Sequence, residues 1–468
     1  MAKQPAAGIV LTTRALSRAT LARQGLLERT DRGVLDTIEH LVGMQSQVPT
    51  DPYVALWSRL RSFDPVTLEA LTLEKAVARV PSLRGTIHLT SARDSLGIRA
   101  LVQPVLARAQ RGAFGKSLGD ADLDALAEEG RALLHEQSLT FLQLRRALGE
   151  QWAAYDQTAV AYSISYLVPL VQVPPRGLWS STAQPTWTTA EAWLGKQRKR
   201  DRVTLEELAL RYLAAFGPAS VQDMQSWCGL TRLSEVFEPL RPRLVTFRDE
   251  RGAELFDLPD APRPDAATPA PVRFLPQYDN AFLGHANRAR IVPEDIPPAW
   301  GAAAQGGWMS PVLVDGFITG LWRVVRRPGK TGAATLRVHE VANARSWRKR
   351  DRTAVMTEAT RLLEFLAPRA SKREVELVGP GYRFRAVALD RGGCGARIGV
   401  VVRLRAAMLY NASAPSFPRC DAPKGRLHGI VRRHPDHRVR PVHQRVVLRA
   451  HVRRPRRRGH QDRGSAGR

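Results

Sequence analysis

Three times along the chain, stretches with helical hydrophobic spacing give way to short alternating runs. The clearest instance is residues 203–258, VTLEELALRYLAAFGPASVQDMQSWCGLTRLSEVFEPLRPRLVTFRDERGAELFDL. Leu205, Leu208, Leu210, Tyr212, Leu213 and Phe216 form one helical stripe, and Gly217-Pro218 ends it. Ser220 is placed to cap a second helix that stops near Gly229, and a third starts at about Thr231. LVTFRDERGAELFDL then alternates on both sides of Glu250-Arg251-Gly252, the pattern of a hairpin. Three helices followed by a hairpin predict a winged helix-turn-helix, an architecture that docks on DNA. The same unit can also serve packing or protein contacts alone.

A second copy is expected over about 117–195. DADLDALAEEGRALLHE and the capped SLTFLQLRRALGEQW supply two helices, TAVAYSISYLVPLV the buried third, and VQVPPRGLWSSTAQPTWT a strand–wing–strand. The first copy covers about 10–95. GVLDTIEHLVGMQSQ, DPYVALWSRLRS and FDPVTLEALTLEKAV read as helices, and ARVPSLRGTIHLTSARD returns as strands. Three such units in series suggest a long concave binding surface. After about Pro271 the texture becomes strand-like, with Asp315-Gly316 a two-residue hairpin signal and MTEATRLLEFLAP (356–368) a closing helix. The expected fold is α+β, mainly α. Its divisions are 1–115, 116–200 and 201–265 for the winged-helix units and 266–389 for a small barrel-like β domain. The remaining 390–468 form a basic tail.

Charge adds to this picture unevenly. The 468 residues carry a formal net charge of +27, a nucleic-acid signature at first sight. From Arg391 onward there are 20 Lys/Arg against 3 acidic residues, so this segment alone holds +17 and the first 390 residues +10. The tail has no helical or strand period and contains six of the eleven histidines. It reads either as a disordered arm for phosphates or as the out-of-frame text of a GC-rich gene, and no function is assigned to it. No apolar run approaches the roughly eighteen residues of a membrane span, and MAKQPAAGIVLTTRAL lacks the pattern of a signal peptide. Cys228, Cys394 and Cys420 have no metal-ligand spacing. No Walker, dinucleotide or G-x-S-x-G motif occurs. The expectation is a cytoplasmic, nucleoid-associated monomer with no cofactor, metal or membrane partner.

HLVGMQSQVPTDPYVALWSRL, SLRGTIHLTSARD and FLPQYDNAFLGHANRARIV together resemble the winged-helix family that contains the DNA glycosylase AlkZ and its relative YcaQ. The resemblance covers roughly residues 10–385, in order, and stops at the tail. It implies tandem winged helices with a C-terminal β-barrel. The implied activity is excision of alkylated bases and unhooking of interstrand crosslinks, with double-stranded DNA carrying such lesions as partner. The catalytic signature of the family is glutamine, an apolar or small residue, then glutamine or aspartate. Gln45 and Gln47 match the AlkZ-like form, with Ser46 more polar than usual between them.

Two glutamines suit only particular chemistry. An amide cannot take a proton at neutral pH, whereas glycosidases pair two carboxylates across the bond they break. A purine alkylated on a ring nitrogen is already cationic and leaves neutral. The protein then needs only an aimed water and dipoles that tolerate positive charge on the sugar, and amide carbonyls supply both. On an extended backbone, encouraged by Pro49, positions 45 and 47 share a face. The plain alternative is a pair of surface or capping amides. His88 alternates with Thr86 on its strand and either reaches the site or is a satisfied strand histidine. His285 and Arg288, in the polar PQYDNAFLGHANRAR segment, are candidate phosphate contacts or parts of a hydrogen-bonded loop. Trp322, ending an apolar stripe, is a candidate DNA contact or barrel core. The competing function is a non-catalytic winged-helix DNA-binding protein or transcriptional regulator.

Overall fold

The computed structural model describes residues 8–196, 202–296, 309–326, 332–341 and 346–379. The basic tail therefore lies outside the described residues. The strands are β1 (Val10–Leu11), β2 (Met44–Gln45), β3 (Val77–Pro81), β4 (Ile87–Ser91), β5 (Leu170–Gln172), β6 (Trp187–Thr189), β7 (Val245–Asp249), β8 (Glu254–Asp257), β9 (Arg273–Phe274), β10 (Ser310–Val314), β11 (Phe317–Arg326), β12 (Ala334–Glu340) and β13 (Arg373–Val378).

Local chemistry sets many of the helix ends. Ser220 and Asp223 form a capping box at the start of Val221–Cys228, and Gly229 closes that helix in the left-handed region. The helix before it, Leu205–Phe216, stops at Gly217-Pro218. Ser234–Leu240 follows, and β7 and β8 pair antiparallel around Glu250-Arg251-Gly252, so three helices and a hairpin do succeed one another here. The third helix starts about three residues later than its pattern suggested, after Arg232 at φ 62°. Thr140 and Gln143 make a second capping box, before Phe141–Ala147.

Strand pairing runs between segments far apart in sequence. The order β2-β4-β3-β5-β6 makes one sheet from residues 44–91 and 170–189, through the bridge Arg79↔Gln172. β1 lies parallel to β7. The C-terminal strands form an open sheet, β13-β12-β11-β10-β9, and among the described residues nothing joins β13 to β9. The expected barrel is corrected to this open sheet. The helix Lys349–Leu366 precedes a β13 that pairs parallel with β12 at the sheet's edge, opposite the edge held by β9, so the last strand extends the sheet without meeting the first. Val355, Ala359, Leu362 and Leu363 of that helix pack with Phe274, Val312, Trp322, Leu336 and Val338. Asp315 and Gly316 turn the β10–β11 hairpin, both at positive φ, as a tight turn with right-handed strand twist requires.

The segment 41–47 departs from its helical spacing. The helix Val34–His40 ends at Leu41, and Val42 (φ 55°) and Gly43 (φ 90°) reverse the chain into β2. A Cβ on Gly43 would stand 2.6 Å from Thr90 Cγ2 and 3.1 Å from the Leu89 carbonyl, so only glycine fits the approach of β2 to β4. The expected helix through Gln47 is replaced by a turn and a strand.

Candidate active site

β2 pairs antiparallel with β4, placing Gln45 opposite His88, and Ser46 N–H continues the ladder to the Ile87 carbonyl at 2.7 Å. The turn between β3 and β4 and the start of β4 therefore face the Gln-Ser-Gln segment and hold the two glutamines. Arg84 Nη2 donates to Gln45 Oε1 at 2.8 Å, and its Nη1 donates to the Trp227 carbonyl. The Ile87 amide donates to Gln47 Oε1 at 3.4 Å. Gln45 is buried and Gln47 half-buried. Arg84 reaches inward from a left-handed backbone (φ 57°) in the Leu83–Gly85 turn. An uncommon φ for a non-glycine residue thus lies beside the predicted catalytic pair.

Ser46 is held from β3, one strand beyond β4. Arg79 Nη1 donates to Ser46 Oγ, while Nε and Nη2 donate to Gln172 Oε1 at 3.1 and 3.0 Å. Among the described residues neither Arg79 nor Arg84 is ion-paired to a carboxylate. Burial lowers Arg79 to about 9, with Arg176 adding to the effect, and burial lowers Arg84 to about 10. Both remain cationic at neutral pH, and among the described residues the site carries buried positive charge held by neutral acceptors.

His88 is inside the site. Its Nδ1 donates to the Thr86 carbonyl at 3.1 Å, leaving the Nε2 lone pair 3.5 Å from Arg84 Nη2. Burial, then Arg84, bring its pKa down to about 3, so it is a neutral imidazole that helps to seat Arg84. Trp322 is buried, with its indole N–H on the Leu275 carbonyl at 2.9 Å and its ring in the sheet–helix core. His285 lies in the interior, with Nε2 2.9 Å from the Phe216 carbonyl. Burial and Arg290 lower it to about 3, and a phosphate does not reach this nitrogen without rearrangement. Arg288 is half-buried, its guanidinium 5.2 Å from the Phe282 ring centroid. The structure thus gathers Gln45, Gln47 and His88 into one place, and leaves His285, Arg288 and Trp322 outside it.

Several residues of this site had no place in it from sequence alone, although the Tyr278-Asp279-Asn280 run stands out there for its polarity. Asp279 ion-pairs Arg59 through two bonds of 2.7 and 2.8 Å, and Asn280 Nδ2 donates to the Gly43 carbonyl at 2.6 Å. The polar Tyr278-Asp279-Asn280 run clamps the turn that delivers Gln45. Asp51 begins the helix Asp51–Arg59, is buried, and leaves Oδ2 without a hydrogen-bond partner among the described residues. Burial, then the nearby Asp279, raise its carboxyl well above the usual range, against Arg79 and the Tyr278 amide. The signal was present in SLRG and in PTDP, but an arginine in a turn and an acid at a helix start read locally as surface features. No group of three or more His, Cys, Asp or Glu among the described residues is arranged to hold a metal ion.

The family described as DNA glycosylase AlkZ-like matches residues 38–365, well over half of the chain and including every residue of the site. The chain belongs to the AlkZ-like DNA glycosylase family. This AlkZ-like chain is also 26% identical over 332 residues to the interstrand DNA cross-link repair glycosylase of Streptomyces sahachiroi, spanning 65% of this chain and 86% of that protein. The solved structure of the DNA glycosylase AlkZ from the same organism shares its fold. The TM-score is 0.60 at 19% identity, covering 79% of this chain and all of that one. The AlkZ-like fold accordingly contains an open C-terminal sheet here, and no helix among the described residues is long and apolar enough to cross a membrane.

Proposed function

We propose that the protein is a monofunctional DNA glycosylase that hydrolyses the N-glycosidic bond of alkylated, cationic purines in duplex DNA and unhooks interstrand crosslinks. The reading rests on one arrangement: both glutamine carbonyls are held from one short stretch of chain, Gln45 by Arg84 in the β3–β4 turn and Gln47, at 3.4 Å, by the Ile87 amide at the start of β4. Each amide oxygen has a second lone pair, and a fixed amide is a better holder of water than a mobile one. A water between them bonds to the anomeric carbon as the C–N bond breaks, that bond's electron pair neutralises the departing lesion, and the proton shed by the water passes to solvent because an amide does not accept it. No general acid is required, and the reaction is limited to bases that leave easily. The helical units with their hairpins act as winged helices that carry the duplex, working in the cytoplasm on the nucleoid as a monomer. The relative's role in interstrand crosslink repair supports the substrate class.

The test is single-turnover release of 7-methylguanine from an alkylated duplex by wild type and by Gln45→Ala/Gln47→Ala. The variant is expected to lose about 100-fold or more in rate while duplex affinity stays within a few-fold. Equal release would remove the glutamines from the mechanism. Tight binding to intact duplex with no release by wild type would leave a non-catalytic DNA binder.

A further inference from the structure

Arg84 holds two distant parts of the chain at once. From the Leu83–Gly85 turn it donates through Nη2 to Gln45 Oε1 at 2.8 Å, and through Nη1 to the carbonyl of Trp227, 143 positions further along the chain. Trp227 is the next-to-last residue of the helix Val221–Cys228. Its carbonyl is among the final four that a helix leaves without an internal partner, and an arginine suits that end. The helix end packs closely on the turn. A Cβ on Gly229 would stand 2.8 Å from Val105 Cγ1 and 3.4 Å from Arg84 Cα. The Gly229 carbonyl accepts from Arg108 Nη2 at 2.6 Å, so a second arginine fixes the same end. On the side of the glutamines, the neutral Nε2 of His88 stands 3.5 Å from Arg84 Nη2.

A carboxylate would grip a guanidinium more strongly than carbonyl oxygens do. Asp257, Asp279 and Asp94 do so for Arg23, Arg59 and Arg211, each through two bonds. Arg84 has neutral acceptors in that role, and it reaches them from a left-handed backbone at φ 57°. Both the conformation and the partly desolvated charge cost free energy. What offsets this is geometry. The guanidinium is a planar fork, so acceptors on its two terminal nitrogens are held at a set offset from one another. We propose that Arg84 is the positioning residue of the site, aiming the Gln45 amide by tying it to the end of the helix Val221–Cys228. The inference rests on the glycosylase reading and extends the site to the third helical unit. The bond at Oε1 also decides which way the amide faces, since a flipped amide would set its own donors against the cation.

The experiment uses the full chain, with single-turnover release of 7-methylguanine from an alkylated duplex across enzyme concentrations, and urea unfolding. Arg84→Met is expected to lower the maximal release rate at least tenfold while the half-saturating enzyme concentration stays within threefold. Arg84→Lys keeps the charge but not the fork, and is expected to recover no more than threefold of that loss. In a Gln45→Ala background the Arg84→Met substitution is expected to cost less than twofold, because the residue it aims is gone. An effect through general stability would cost the same factor in both backgrounds. That result overturns the proposal, and so does full recovery by Arg84→Lys. If Gln45→Ala releases no measurable base, the urea midpoints of the same cycle decide: less-than-additive shifts support the tie and additive shifts overturn it. If circular dichroism shows Arg84→Met unfolded, Arg84→Asn takes its place, being suited to the left-handed backbone and too short to reach Gln45. If wild type releases no base and the midpoint shifts are less than additive, the glycosylase reading falls and the tie between Arg84 and Gln45 stands. If wild type releases base and the loss is the same in both backgrounds, the tie falls and the glycosylase reading stands.

Discussion

At the scale of single residues, the site is built from groups whose protonation is settled by burial. His88 is the cleanest case, because its imidazole is neutral in the folded chain with a pKa lowered to about 3 from the usual 6.5. A base depressed in this way stabilises nothing by charging. In the unfolded chain it takes up a proton below about 6.5, while in the folded chain it does so only near 3. Stability contributed through His88 is thus fully present above about pH 6.5 and is lost as pH falls toward 3. Between pH 7 and pH 4.5 the loss amounts to about 2.5 kcal/mol at roughly 1.4 kcal/mol per pKa unit. Urea unfolding at the two pH values measures it: His88→Asn should show a stability difference smaller than wild type's by about that amount. An unchanged difference would mean that the folded site leaves the imidazole's pKa where it is in the unfolded chain. Asp51 works in the opposite direction, since its carboxyl is raised, and its contribution is present at low pH and lost as pH rises through the raised value.

At the scale of elements, the decisive feature is the turn that converts a helix into β2. Gly43→Ala combines an unfavourable positive φ with contacts of 2.6 Å to Thr90 Cγ2 and 3.1 Å to the Leu89 carbonyl. It is expected to cost about 2 kcal/mol or more, and to cost base release beyond what stability explains, because Gln45 moves with β2. Chemical denaturation and single-turnover release report the two effects separately. Thr90→Ser in the same chain should restore part of the stability by removing the nearer contact, and no restoration would place the cost wholly in the backbone. The same turn shows why local patterns reached only so far. DTIEHLVGM has helical spacing, and nothing in it reveals that Gln45 will pair with His88, more than forty positions away. Helix caps such as Ser220 and the Asp315-Gly316 turn were legible because their chemistry is local. Arg79, Arg84 and Asp51 were not, since their partners lie far along the chain: Ser46 and Gln172 for Arg79, Gln45 and the Trp227 carbonyl for Arg84, and the Tyr278 amide for Asp51. The Tyr278-Asp279-Asn280 run was noticed for its polarity, but its partners Arg59 and Gly43 come from the first hundred residues. The open C-terminal sheet was misjudged for a related reason. Whether strands close depends on where the last one pairs, and β13 pairs parallel with β12.

At the scale of the whole molecule, charge and fold separate along the chain. The family match ends at residue 365, and 79% of this chain suffices to cover the whole of the solved AlkZ structure. The +17 carried from Arg391 onward is therefore additional to what the glycosylase fold needs. Duplex binding and base release should respond to it differently. Affinity for a polyanion falls with salt in proportion to the number of phosphates neutralised, with a log–log slope of roughly −0.9 per contact. A chain ending at residue 389 is expected to have a slope shallower by several units than the full chain. Its release rate at saturating enzyme should stay within twofold, because the proposed chemistry at Gln45 and Gln47 relies on a held water and not on diffuse charge. Salt titrations of binding to an unmodified duplex, paired with single-turnover release from an alkylated one, measure both quantities on the same two proteins. Identical slopes would mean that the cationic residues beyond 390 make no phosphate contact. A release rate that collapses on truncation would instead tie those residues to the site itself, and the division between a charged extension and a catalytic body would have to be abandoned.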